Sequence, residues 1–523
     1  MAGAAGLVCS VDALASRAGV DVLVAGGNAV DAAVATSAAL AVTAPHMCGL
    51  GGDLFALVHG PVTGAQQPLA LDASGRAGRG ADPERLRAEG HRVMPFRGDV
   101  RSAPIPGCVD GWVALHARSG RLPFERVLAP AIGLAEEGVP TSPLLAAMLE
   151  RIAGVPGCEE LTSAERRAGA TLRRPGPARL LRAVAGGGRD AFYLGEFGER
   201  LLEVGGGEYT PGDLERPLAD WVAPLGVDVW GHRVWTTPPA SQGYLSLAGA
   251  WIAERAGLGR QPADPAWAHI TVEAARLAGW DRPDVLFEGA DGDALLDPDR
   301  LAARAALLDP ARALEVGALT AGGGTIYLCT SDAQGNAVSL IQSNASGFGS
   351  HVAVPGTGVI LHNRGVGFSL QAGHPAEYGP GRRPPHTLSP ALVTRADGSV
   401  RAVLGTMGGD SQPQVVLQLL ARLLLAGEEP GTAIGAPRWV LDAPGGTGFD
   451  LWRRPGAHEV RLEVHAPQGW EQGLSERGHT VARARQDVAG FGHAHCIDLD
   501  AQGGPAGAAD PRSVIGAALA APT

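Results

Sequence analysis

The sequence predicts a mixed α/β (α+β) fold. Three features carry that expectation: two strand-like runs around a turn cluster at 332–336, an alanine-rich, nearly uncharged helix over Ala29–Thr43, and a strand–Gly-Gly–helix unit over 400–425. The 523 residues are 45% apolar and 19% charged, with ample core for one large domain or roughly two to four smaller ones. The 76 glycines and 39 prolines are dispersed among apolar runs, so they read as turns and not as disorder.

A net charge of −11 without a Lys/Arg run argues against nucleic acid or an anionic membrane as partner. The six cysteines are scattered with no CxxC, which suggests neither a zinc site nor a disulfide framework, and no metal or nucleotide cofactor is implied. The opening MAGAAGLVCSVDALAS lacks the basic and long apolar regions of a signal peptide, and no apolar run is long enough to span a membrane. A cytoplasmic protein is the expectation.

In chain order, residues 8–24 mix Ala, Leu and Val and end at Gly26-Gly27-Asn28. Asn28 is a sensible N-cap for the helix Ala29–Thr43, which is apolar almost all round and should be buried. Pro45 ends it, and Gly49-Leu-Gly-Gly52-Asp53 reads as a tight turn; its glycines follow a helix, which disfavours a phosphate cradle. Strands are expected at 54–59 and 68–71. Arg76 follows, where a guanidinium can fork onto a substrate carboxylate or be held in an ordinary ion pair. Helices are expected at 110–118, Phe124–Glu137 and 142–153, then surface loop and helix at 166–188, and a strand pair within 225–236. Helices at 244–256, 267–280 and 297–306 come next. His269, Glu273 and Arg276 lie at helical spacing in the second, as a site or a packing network.

The chain is organised around 322–350, GGGTIYLCTSDAQGNAVSLIQSNASGFGS. Three glycines precede Thr325, a strand-like run covers 325–331, and a second covers 337–344. If 332–336 is the whole loop, Ser331 pairs with Ala337, and Thr325 faces Ser343 on the same side of the sheet. A loop one residue shorter would pair it with Gln342. A Thr hydroxyl needs a base, and a Thr at a new N-terminus carries one, its own amine of pKa about 7.7–8. Taken alone, the stretch also fits an ordinary strand residue after a flexible loop.

Past the hairpin, 352–361 holds strand and turn, and strands are expected at 388–394, 400–404, 460–465 and 495–499. The turn Gly405-Thr-Met-Gly408-Gly409-Asp410 leads into a helix at 412–425. Two backbone N–H groups at such a place can hold a developing oxyanion, although alone the pattern reads as a turn that needs small residues.

Together these pieces resemble the γ-glutamyltranspeptidase family of N-terminal-nucleophile hydrolases. The motifs run nearly end to end: GGNAVDAAVA (26–35), GLGGDLF (49–55), PGCVDGW (106–112), PPASQGY (238–244), HITVEAARLA (269–278), GTIYLCTSDAQGNAVS (324–339), GFGS (347–350), GTMGGD (405–410), APRW (436–439) and AADPRS (508–513). The resemblance implies a four-layer αββα sandwich made as one proenzyme and cleaved autocatalytically before Thr325. The large (1–324) and small (325–523) subunits would stay together as one domain, and a homodimer is compatible with it. It implies Thr325 as nucleophile, Ser343 in place of a second Thr that contacts it, and Gly408 and Gly409 as oxyanion hole.

The departures from the family lie in the glutamyl site. The carboxylate-binding Arg aligns with Ser74, two positions before Arg76. Two adjacent serines align with His386 and Thr387, the Gln and Asp near the donor's α-amine with Arg364 and Gly367, and an Asn with Ala345. The lid segment between Phe368 and His386 is short. Arg364 would repel an ammonium and attract a second carboxylate, so Arg76, Arg364, His386 and Thr387 are the candidate substrate contacts. The resemblance is therefore to a divergent branch, near γ-glutamyltransferase-like proteins and glutaryl-type cephalosporin acylases. The expected activity is that of an amidase acting through an acyl-enzyme on γ-glutamyl amides such as glutathione, with water or an amine as acceptor. The rivals are an acylase for glutaryl-type or other dicarboxylic amides, and an uncleaved, non-catalytic homologue.

Overall fold

The computed structural model describes residues 5–162, 167–314, 325–442, 449, 459–484, 489–500 and 504–522. The glycines at 322–324 lie outside the described residues.

Two antiparallel sheets are stacked face to face. In chain order the strands are β1 (Gly6–Ser10), β2 (Asp53–His59), β3 (Leu69–Ala73), β4 (Asp220–Val222), β5 (Leu225–Val229), β6 (His232–Thr236), β7 (Ile326–Asp332), β8 (Ala337–Ser343), β9 (Ala391–Thr394), β10 (Val400–Thr406), β11 (Ala494–Asp498), β12 (Ala506–Ala509) and β13 (Ala517–Ala521). The seven-stranded sheet runs β13-β1-β7-β8-β2-β3-β4, and the six-stranded sheet runs β12-β11-β10-β9-β6-β5. Phe55, Tyr327 and Ile341 of the first sheet and Trp235, Leu392 and Val403 of the second fill one apolar layer between them.

Helices cover the two outer faces. On the seven-stranded sheet lie α1 (Ala13–Val24), α2 (Ala29–Thr43), α3 (Cys108–Ser119), α4 (Phe124–Glu137) and α5 (Pro175–Tyr193), whose Val34, Leu128 and Leu181 share a core with Leu54 and Leu340. On the six-stranded sheet lie α6 (Tyr244–Arg255), α7 (Pro265–Gly279) and α8 (Gln412–Leu420), packing Leu247, Val272 and Leu417 against Val234 and Leu404. This is the four-layer αββα arrangement that the resemblance implies.

The local chemistry accounts for the elements that set the site. Asn28 caps α2 in a capping box with Asp31, and every residue of that helix is buried, as an all-round apolar surface requires. In the hairpin, Asp332 Oδ1 accepts from the backbone N–H of Gln334 at 2.9 Å and of Asn336 at 3.1 Å, while Gly335 takes φ +83°. The loop is therefore the longer one: Ser331 pairs with Ala337, and the ladder runs on to Ile326 opposite Gln342.

Two expectations are corrected. The segment 166–188 is not confined to the surface: Leu180, Leu181 and Val184 of α5 are buried. The two end strands also went unanticipated, because β1 and β13 are short and gain their meaning only by pairing with each other and with β7. The polar face of α7 is a packing network. Glu273 Oε2 accepts from Leu314 N at 2.9 Å, Arg276 Nη2 donates to Leu314 O at 2.7 Å, and His269 Nε2 faces Asp309 O at 2.8 Å.

Candidate active site

Thr325 enters β7 one step beyond the Ile326–Gln342 pair, which places it opposite Ser343. Ser343 is in turn paired with Asp53, the first residue of β2. Opposed residues share a face, so the three form a row across adjacent strands. Side chains alternate along a strand, and this row has the parity of Tyr327, Ile341 and Phe55, which point into the layer between the sheets. All three residues are fully buried.

Thr325 Oγ1 and Ser343 Oγ are 2.9 Å apart. Ser343 Oγ also accepts from Arg364 Nη2 at 3.0 Å and from the Ala345 backbone N–H at 2.7 Å. A hydroxyl has two acceptor sites and one proton. One Ser343 oxygen therefore touches Thr325 Oγ1, the Arg364 guanidinium and the Ala345 N–H together, and either hydroxyl of the Thr325–Ser343 pair can supply the proton between them.

Arg364, 1% exposed, is the hub. Its Nε donates to Asp53 Oδ2 at 2.9 Å and its Nη1 to Thr387 Oγ1 at 2.8 Å. His386 accepts from the Leu388 N–H at Nδ1 (3.2 Å), so its proton sits on Nε2 and is donated to Asp53 Oδ2 at 2.8 Å. His362 Nδ1 faces the same oxygen at 3.1 Å. Burial pushes the Asp53 carboxyl up, but Arg364, His386 and His362 outweigh it and hold the group well below the usual carboxylate range. Burial and the adjacent Arg364 push His386 down to about 4, so its imidazole is neutral at pH 7.

The second sheet supplies the facing wall. The turn after β10 holds Gly408 at φ +136° and Gly409 at φ +60°, both in the region that favours glycine. Gly405 lies against the Tyr327 ring, so closely that a Cβ there would come within 2.4 Å of Cε2; the end of β10 thus abuts the start of β7. Gln242 Nε2 donates to Gly409 O and to Thr387 O, each at 3.0 Å. Residues 240–242 run beside 386–388: Gln242 N donates to His386 O, His386 N to Ala240 O, and Ser241 Oγ to Leu388 O. One hydrogen-bonded chain therefore connects Thr325, Ser343, Arg364, Thr387, Gln242 and Gly409.

Of the residues singled out in the sequence, Thr325, Ser343, Arg364, His386, Thr387 and Gly409 belong to this network, and Gly408 precedes Gly409 in its turn. Arg76 is placed elsewhere: it is ion-paired with Glu288 and Asp220 and donates to Gly381 O at 3.0 Å. Sequence reasoning missed Asp53, His362 and Gln242. Asp53 sat in a stretch read only as a turn, and Gln242 in a motif read only as family resemblance.

Comparison with known proteins agrees with this geometry. The family model for γ-glutamyltranspeptidase matches residues 15–520. An oxamate amidohydrolase proenzyme of Klebsiella pneumoniae is 37% identical, with 97% of both chains covered. The glutathione hydrolase-like YwrD proenzyme of Bacillus subtilis is 34% identical over the same shares. Among solved structures, a cephalosporin acylase from Bacillus halodurans superposes with a TM-score of 0.88 at 33% identity, covering 99% of this chain and 96% of its own. With its fold, its Thr325 row and its glycine turn in family order, the chain is an enzyme that belongs to the γ-glutamyltranspeptidase family.

Proposed function

We propose that the chain is a proenzyme that cuts itself before Thr325 and then hydrolyses amides whose acyl group carries a carboxylate. The observation that carries this reading is the buried Thr325–Ser343 hydroxyl pair, with Arg364 bonded to the same Ser343 oxygen. A neighbouring hydroxyl that can turn its proton toward Thr325 Oγ1, itself held by a buried guanidinium, stabilises negative charge as that oxygen forms and loses bonds. The amine freed by the cut takes the Thr325 proton and returns it to the leaving amine, a contribution of about 10²–10⁴ in rate. The N–H groups of Gly408 and Gly409 receive the oxyanion, and water, or an acceptor amine, resolves the acyl-enzyme.

The lining favours acyl groups without an α-ammonium. Among the described residues, the carboxylates Asp53 and Asp410 each face an arginine, Arg364 and Arg282. At Gly367, where the family carries an Asp near the donor amine, a Cβ would lie 2.3 Å from Pro385 O, so no side chain fits there without a backbone shift. Similarity to an oxamate amidohydrolase and a cephalosporin acylase supports the same reading. Hydrolysis of γ-glutamyl amides such as glutathione is the second reading, favoured by similarity to the glutathione hydrolase-like protein.

Intact mass of the wild type beside Thr325→Ala tests the cut. Two fragments meeting between Gly324 and Thr325, with the variant whole, are expected; an unbroken wild type after long incubation overturns the reading. Glutaryl and γ-glutamyl p-nitroanilides then separate the two substrate readings, since equal release means that the α-amine is not recognised.

A further inference from the structure

A small cavity opens beside Arg364, bordered by Arg282, Thr387, Pro385, Gly367 and the Phe449 ring. That ring stands over the guanidinium, its centroid 5.6 Å from Arg364 Cζ. The polar inventory of this cavity is unbalanced. Arg282 is 5% exposed, yet its Nε has no hydrogen-bond partner. Its ion contact, Nη2 to Asp410 Oδ1, is 3.6 Å, too long for a hydrogen bond. A guanidinium has five N–H donors, and Arg364 directs one each to Asp53, Thr387 and Ser343, leaving two. Two nearly buried arginines with unused donors thus border the same space. Buried polar groups are ordinarily satisfied, and planar forks of this kind match carboxylates.

The location relative to Thr325 is set by two hydrogen bonds. Their lengths of 2.9 and 3.0 Å keep Arg364 Nη2 within about 6 Å of Thr325 Oγ1. An acid group seated on Arg364 is therefore only a few bonds from a carbonyl under attack.

We propose that Arg282 and Arg364 together take the carboxylate of the acyl group, so that the substrates are mono-amides of short dicarboxylic acids. This rests on the amidase reading of Thr325. Arg282 is then the specificity residue, since Arg364 is already committed to Ser343 and Asp53. Phe449, Val366, Pro385 and the bare Gly367 complete the described lining around the two arginines and Thr387.

The test is direct binding by calorimetry on purified wild type, Arg282→Met and Arg282→Lys, using oxalate, succinate and glutarate, with butyramide as the uncharged control. The wild type is expected to bind its best dicarboxylate about 10–100-fold more tightly than butyramide, the range that charge-assisted hydrogen bonds supply. Arg282→Met should lose that preference, and Arg282→Lys, which keeps the charge without the fork, should fall between. Should the methionine variant not fold, the lysine variant alone decides. Wild type that does not discriminate dicarboxylate from butyramide, or variants that bind the best dicarboxylate as the wild type does, would overturn the assignment. Failure of the Thr325 reading shows separately, as an uncut wild type by mass, and leaves these affinities untouched.

Discussion

Ser343→Ala removes at least three hydrogen bonds at once. It deletes the hydroxyl bonded to Thr325 Oγ1 and strips Arg364 Nη2 and the Ala345 N–H of their acceptor. Loss of one preorganised donor to a developing oxyanion costs about 10²–10³ in rate. Leaving a buried donor unsatisfied costs about 1–3 kcal/mol of stability, with the larger share at the charged Arg364. The expected result is kcat lowered by about 10²–10³ with KM little changed, because the deleted contact acts on the nucleophile. Self-cleavage uses the same hydroxyl and should slow in parallel. Intact mass at successive times gives the cut fraction, and p-nitroaniline release is then expressed per cut site. Ser343→Thr, which restores the hydroxyl, should recover most of the loss. Wild-type turnover per cut site in Ser343→Ala would refute the role given to this hydroxyl.

Two further outcomes follow from the same geometry. In Gly408→Ala, a Cβ would come within 2.4 Å of Ser411 Oγ, which is pinned to Gly408 O at 2.9 Å and Gly490 O at 3.0 Å. Turnover per cut site should fall about 10²-fold, as for a lost oxyanion donor, and an unchanged rate would remove this turn from the chemistry. The pH dependence of stability has a definite sign. Burial lowers His46 and His495 to about 3 and His386 and His493 to about 4, whereas unfolded histidines titrate near 6.5. Between those values the unfolded chain binds more protons, so stability is full above about 6.5 and is lost as pH falls toward 4. The depressed Asp53 adds a loss of the same sign below about 3.9. A thermal midpoint that does not drop between pH 7.5 and 5 would contradict the buried neutral imidazoles.

Local chemistry made the hairpin legible. Turn formers at 332–336 fix the loop, the loop fixes the register, and the register sets Thr325 against Ser343. The buried helix α2 was equally legible, since its all-round apolar surface leaves no face for solvent. What could not be read were partners distant in sequence. Arg364 looked like a bare cation because its counter-ion, Asp53, lies 311 residues away at the start of another strand. Arg76 kept two readings until the fold brought Asp220 and Glu288 to it. Gln242 showed no local signal, because its role is to tie two backbone carbonyls from separate loops.

The strand order has a consequence for the life of the protein after the proposed cut. Both sheets combine strands from before and after Thr325, and four ladders cross the divide: β1 with β13, β1 with β7, β8 with β2, and β9 with β6. Before cleavage these pairings form within one chain, at a fixed effective concentration that dilution cannot lower. Afterwards the same pairings join two molecules, so recovery from unfolding becomes a second-order encounter. Folding would be a unimolecular event available once, to the precursor. The mature enzyme would be long-lived through slow opening rather than through ready refolding, and its recovery from heat should depend on how much protein is in the tube.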